Sequence, residues 1–234
     1  MRARRNVAVL FLTLPFLASA APARLPAQDT LVLARKALNV TTGAFDGCAA
    51  SGTPSPNGSQ YQQLLVLNQK KNRSAEPGNA DLDSSVTLAA LLAHSRDDSR
   101  RWNDAKAGEV VGYVLHVKPG GKTETTNCRV GDPVHRDTHI ELTVSETDTM
   151  ENRRVIVEVT PRWRAAEKDA GTDWSTQTLQ QTIEGHWVRV RGWLLFDAEH
   201  RRQAENTNNG GDKNWRATSW EIHPISRLET VQQP

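Results

Sequence analysis

Three ionisable residues alternate at Asp137, His139 and Glu141, interleaved with Thr138, Ile140 and Leu142. The interleaved residues predict a strand. Because successive strand side chains point to opposite faces, the three ionisable groups share one of them. Imidazole and carboxylate side by side make a ligand set for zinc and other divalent ions, or an acid–base pair. Two other runs have the same character. Glu221 and His223 share a face opposite Ile222, and Glu158 opposes Val155, Val157 and Val159. A carboxylate half-buried in such a run needs a partner. The segment from Phe196 to His200 ends another strand-like run and can bring Asp197 or His200 to the same rim. If these groups converge, Asp137, His139, His200 and His223 hold one divalent metal ion, and Glu158 and Glu221 move the proton. A structural ion-pair network has the same composition, and a solvated strand face also accounts for Asp137, His139 and Glu141.

A second pattern is aromatic and basic. Trp187, Arg189, Arg191 and Trp193 alternate with Val188, Val190 and Leu194. Indole and guanidinium groups in one row form a stacking surface for bases or sugars. The alternative is packing, with the tryptophans covered by the N-terminal segment and the arginines at the surface. Three functions follow from the two patterns. One is an exported binding module for an oligonucleotide, oligosaccharide or cell-wall fragment. Another is a metal-dependent hydrolase, for example of phosphodiesters. The last is a structural or interaction protein. The sequence contains no G-x-S-x-G, H-E-x-x-H or phosphate-binding loop, and no cysteine pair at zinc spacing.

These residues need strands to position them. Runs at 109–118, 137–144, 153–160, 187–196 and 216–225 read as strands, and a helix capped by Asp173 and ended by Gly185 falls between the third and the fourth. The order β-β-β-α-β-β is that of an OB-fold-like five-stranded barrel, mainly β with helices. A β-sandwich of the same strands is the competing architecture. Upstream, Ser84 can cap a helix running to about His94, the apolar cluster Leu64 to Leu67 is either helix or strand, and the charged run 96–106 reads as solvated. The resulting plan is a signal peptide at 1–20, a flexible leader at 21–44, an N-terminal loop and helix extension at 45–107, and the barrel at 108–234.

Arg2, Arg4 and Arg5, the apolar stretch Val7 to Leu17 and the small residues Ala18-Ser19-Ala20 form the pattern of a secretory signal. The apolar stretch is short for a membrane span. The expected mature protein is therefore periplasmic or extracellular, without stable membrane insertion after cleavage. Losing those three arginines takes the formal charge from +2 to −1. A nucleic-acid partner would then depend on a local basic patch. The two cysteines, Cys48 and Cys128, would meet an oxidising compartment, so a disulfide is expected.

Several motifs recur together: Phe45-Asp46-Gly47-Cys48, Asp137-Thr138-His139-Ile140-Glu141-Leu142, Glu158-Val159-Thr160-Pro161-Arg162, Gly192-Trp193-Leu194-Leu195-Phe196-Asp197 and Trp220-Glu221-Ile222-His223-Pro224-Ile225. As a set, the chain resembles a group of uncharacterised exported bacterial proteins from about residue 45 onward. The resemblance implies bacterial origin and little else. It implies no activity.

Overall fold

The structure, a computed structural model, describes residues 38–93 and 97–234. The signal peptide and most of the leader, as read from the sequence, lie outside the described residues. Five strands build the barrel: β1 (Ala107–Pro119), β2 (Thr138–Thr143), β3 (Val155–Val159), β4 (Trp187–Phe196) and β5 (Trp220–Thr230). They close in the order β1-β2-β3-β5-β4, the last strand returning to β1. The β3–β5 pairing is parallel, through Val157 and Ile222, and the others are antiparallel. Closure of an open sheet into this circuit removes its edges. The sandwich alternative is excluded, and the OB-type strand order stands.

Alternation fills the barrel. Val114, Val117, Ile140, Leu142, Val155, Val157, Val159, Val188, Val190, Leu194, Ile222 and Ile225 are buried together. Ile222 and Ile225 are an odd number of residues apart, yet both reach this core. Their register explains it: Leu194 pairs with Ile222 and Gly192 with Ile225, so β5 carries one residue more than β4 there. Gly192 makes room for the bulge, because a Cβ on it would lie 2.2 Å from the Pro224 carbonyl oxygen. This arrangement leaves Glu221 and His223 on the outer face.

Among the described residues four α-helices are appended: α1 (Tyr61–Lys71), α2 (Leu88–Leu92), α3 (Pro161–Asp169) and α4 (Thr176–Ile183). The expected helix from Ser84 is shorter. Asp83 Oδ1 accepts from the amide and hydroxyl of Ser85, which turns the chain there, and Thr87 becomes the cap. Pro161, the residue just after the run expected to be a strand at 153–160, begins α3. Thr160 caps it and Pro161 occupies the first turn, where its missing N–H costs nothing. The cap of α4 is Ser175, and Asp173 instead accepts from Ser175 and Thr178. Gly185, at φ +80°, follows the helix end as expected.

The segment before the barrel is held by polar anchors. Arg162 donates to the carbonyls of Thr41, Gly43 and Cys48, and its Nε to Asn72 Oδ1. Arg73 reaches the carbonyls of Leu194 and His223. Asp98, inside the run expected to be solvated, is buried and accepts from Asn206 and Thr218. Cys48 and Cys128 form the expected disulfide across 80 positions. Replacing both cysteines by serine is expected to cost about 2–4 kcal/mol, because the unfolded chain regains the freedom of that loop. Urea unfolding of the double variant measures the loss. No helix among the described residues is long and apolar enough to cross a membrane.

Candidate metal centre

The outer face of β2, β3 and β5 carries His139, Glu141, Glu158, Glu221 and His223. A sheet exterior made of such residues would ordinarily be wet. Here Glu141, Glu221 and His223 are fully buried, Glu158 is 2% exposed and His139 8%. The cover comes from the β1–β2 connection, the β4–β5 connection and the end of α1, which contribute Glu124, Arg216 and Lys71 respectively. In OB-type barrels the outer face of strands two and three, between these two connections, is where ligands lie.

Register determines which groups meet. His139 stands directly across from Glu158, and His139 Nε2 lies 3.1 Å from Glu158 Oε1. The parallel pairing of Val157 with Ile222 sets Glu158 beside the two residues flanking Ile222. His223 Nδ1 accordingly lies 3.2 Å from Glu221 Oε2 and 3.4 Å from Glu158 Oε2. Asp137 precedes β2 and is tied to the end of β1, its carbonyl accepting from the Gly120 amide. Its Oδ2 faces His223 Nε2 at 3.6 Å. Asp137, Glu158 and His223 thus offer one ligand atom each, all within 4.8 Å of one another.

Both carboxylate oxygens of Asp137 and Nε2 of His223 are buried without a hydrogen-bond partner. Unpaired buried polar atoms are costly, and a constellation of them needs a physical reason. Glu221 supplies part of it. By accepting from His223 Nδ1, Glu221 leaves the Nε2 lone pair aimed at Asp137, as carboxylates do behind metal-ligating histidines. In the absence of a cation, protons take its place. Burial, then the charge of Glu221, holds the Glu158 carboxyl well above the usual range. Burial also raises Asp137. On His223 burial acts downward, but Glu158 and Glu221 outweigh it and the imidazole is raised.

A neighbouring set, Asp197, His200 and Glu221, has the same donor types within 4.8 Å. Internal cations already neutralise it. Lys71 Nζ is 2.6 Å from Asp197 Oδ2, and Arg216 Nη1 is 2.7 Å from Glu221 Oε1. Burial opposes both carboxylates, yet Lys71 holds Asp197 below its ordinary value and Arg216 with His223 holds Glu221 well below. His200 Nδ1 is 2.7 Å from Gln203 Oε1, its Nε2 is 3.8 Å from Asp197 Oδ2, and the ring lies edge-on to Trp215.

No family model matches this chain, and no curated protein does. Function is therefore argued from the site alone.

Of the residues singled out in the sequence, Asp137, Glu158 and His223 come together, Glu221 supports His223, His139 borders the group through Glu158, and His200 belongs to the neighbouring set. Glu141 stands apart, paired with Lys118 and, at 2.6 Å, with Arg154. The β4 row is engaged by the chain itself. Arg189 pairs with Glu229, and Arg191 pairs with Glu109 and donates to Asn79. Trp193 donates to the Ala75 carbonyl beneath Arg73, and Trp187 lies edge-on to Tyr113. Lys71, Arg216 and Glu124 were not apparent from the sequence. Lys71 sits at a helix end, where a lysine ordinarily faces solvent, and no pattern marks Glu124 or Arg216.

Proposed function

We propose that this protein is an exported OB-type binding module whose ligand is a divalent transition-metal ion, held by Asp137, Glu158 and His223. The observation that carries the reading is the facing pair: a fully buried carboxylate with neither oxygen hydrogen-bonded, 3.6 Å from an imidazole nitrogen that also has no hydrogen-bond partner. Two ligands of one tetrahedral ion, each about 2.0–2.1 Å from it, stand roughly 3.4 Å apart. Imidazole with two carboxylates favours zinc and its neighbours over magnesium or calcium, which take oxygen ligands. Burial of all three ligands supports binding over turnover, because a hydrolase must admit its substrate to the open coordination position. An oligonucleotide or glycan is supported less, since the face on which it would lie is covered by Lys71, Arg216 and the connecting loops. The disulfide and the signal-like N-terminal sequence support work outside the cytoplasm.

Titration of metal-free protein with Zn²⁺ in a calorimeter tests this. About one ion per chain is expected, with proton release as the ion displaces protons from the ligands, and with a raised melting temperature. Mg²⁺ should not substitute. Absence of saturable Zn²⁺ binding would leave the cluster as an ion-pair network and end the proposal.

A further inference from the structure

We propose that Glu124 and His139 form an outer transfer site through which a divalent cation reaches the buried ligands; this rests on the cation-binding reading above. Asp137 and His223 are fully buried and Glu158 nearly so. An ion must therefore be handed to them by something that meets solvent. His139 borders Glu158 at 3.1 Å and Glu124 Oε1 at 3.8 Å, and the Glu124 side chain is 24% exposed. Carboxylate, imidazole and carboxylate donors thus follow one another from the surface to the centre in steps shorter than 4 Å. Passing between them, a cation exchanges one ligand for the next and is never bare in a low-dielectric interior.

The other approach is closed by charge. From Glu199 and His200 an incoming ion meets the Lys71 ammonium, 3.8 Å from Glu199 Oε2, and then the Arg216 guanidinium on Glu221. Both repel a divalent cation at short range. On the Glu124 side, the residue against the ring is Gly120, where a Cβ would lie 2.9 Å from His139 Nε2. Its missing side chain leaves the imidazole space to turn between Glu158 and Glu124.

The experiment is stopped-flow uptake of Co²⁺ by the full-length metal-free protein, read by visible absorbance, with His139→Phe and Glu124→Gln. Gating slows association and dissociation together, so both rate constants should fall about tenfold or more while Kd and the Co²⁺ spectrum stay within about twofold of the parent. If His139→Phe does not fold, Glu124→Gln, at a partly exposed position, carries the same test. Unchanged rates in the variants overturn the transfer site. So does a tenfold weaker Kd or an altered spectrum in His139→Phe, because His139 would then be a ligand. A parent protein that takes up no Co²⁺ is a different failure, that of the cation-binding reading itself.

Discussion

Asp137→Asn is expected to weaken divalent-cation binding by about 100-fold or more and, in the same protein freed of cation, to raise stability by about 1–2 kcal/mol. The two effects have one origin. Asp137 is fully buried, its oxygens accept no hydrogen bond, and burial raises its pKa above the ordinary 3.8. A carboxyl whose pKa is raised on folding holds its proton more tightly in the folded chain than in the unfolded one. The stability that proton contributes is full below the ordinary value and is lost as pH rises through the raised one. Above the ordinary value, folding must therefore either bind a proton at Asp137 or bury its charge, and an amide of the same shape requires neither. The cation reverses the order, since it binds the folded parent through that carboxylate and adds its binding free energy to stability. Denaturant curves of parent and variant, with EDTA and with excess Zn²⁺, should cross over. A variant less stable in EDTA, or one that binds Zn²⁺ as the parent does, would sink the assignment of Asp137 as a ligand.

The barrel and the centre were legible in the sequence to different depths. Alternation is local, so Ile140 against His139, Val157 against Glu158 and Ile222 against His223 could be assigned to faces from the chain itself, and the structure places them so. Convergence is not local. That His139 stands across from Glu158, and that Glu158 lies beside His223, follows from the β2–β3 register and the parallel β3–β5 contact, which no single strand encodes. Helix α3 was missed for a different reason. Pro161 signals both the end of a strand and the first turn of a helix, and only the Thr160 cap decides between them. The buried cations were the least visible. In α1 the apolar Val66 is 51% exposed while Lys71 is 4% exposed. A hydrophobic pattern therefore points to the wrong side of this helix.

Lys71→Met is expected to destabilise the protein by about 3–5 kcal/mol at neutral pH, because it leaves Asp197 as a buried charge without its partner. The pair is 2.6 Å apart, with side-chain exposures of 5% and 1%. Burial acts against both charges. On Lys71 the carboxylates of Asp197, Glu221 and Glu158 outweigh it and raise the ammonium well above 10.5, and on Asp197 the ammonium outweighs it and lowers the carboxyl below 3.8. A depressed carboxyl contributes stability that is present above its ordinary value and lost as pH falls through the depressed one. The gap between parent and variant should therefore shrink as pH falls, first as the unpartnered Asp197 of the variant, which burial alone now raises, takes up a proton, and no further once the depressed carboxyl of the parent is protonated too. Lost methylene packing predicts a gap that ignores pH. The double variant Lys71→Met with Asp197→Asn separates the two causes further, since asparagine can still accept from the Glu199 amide as Asp197 does. Removing both charges should recover much of the loss. A double variant as unstable as Lys71→Met alone would mean that Lys71 acts through its stem and not as the internal counter-ion of the second carboxylate set, and the argument that this set needs no metal ion would lose its footing.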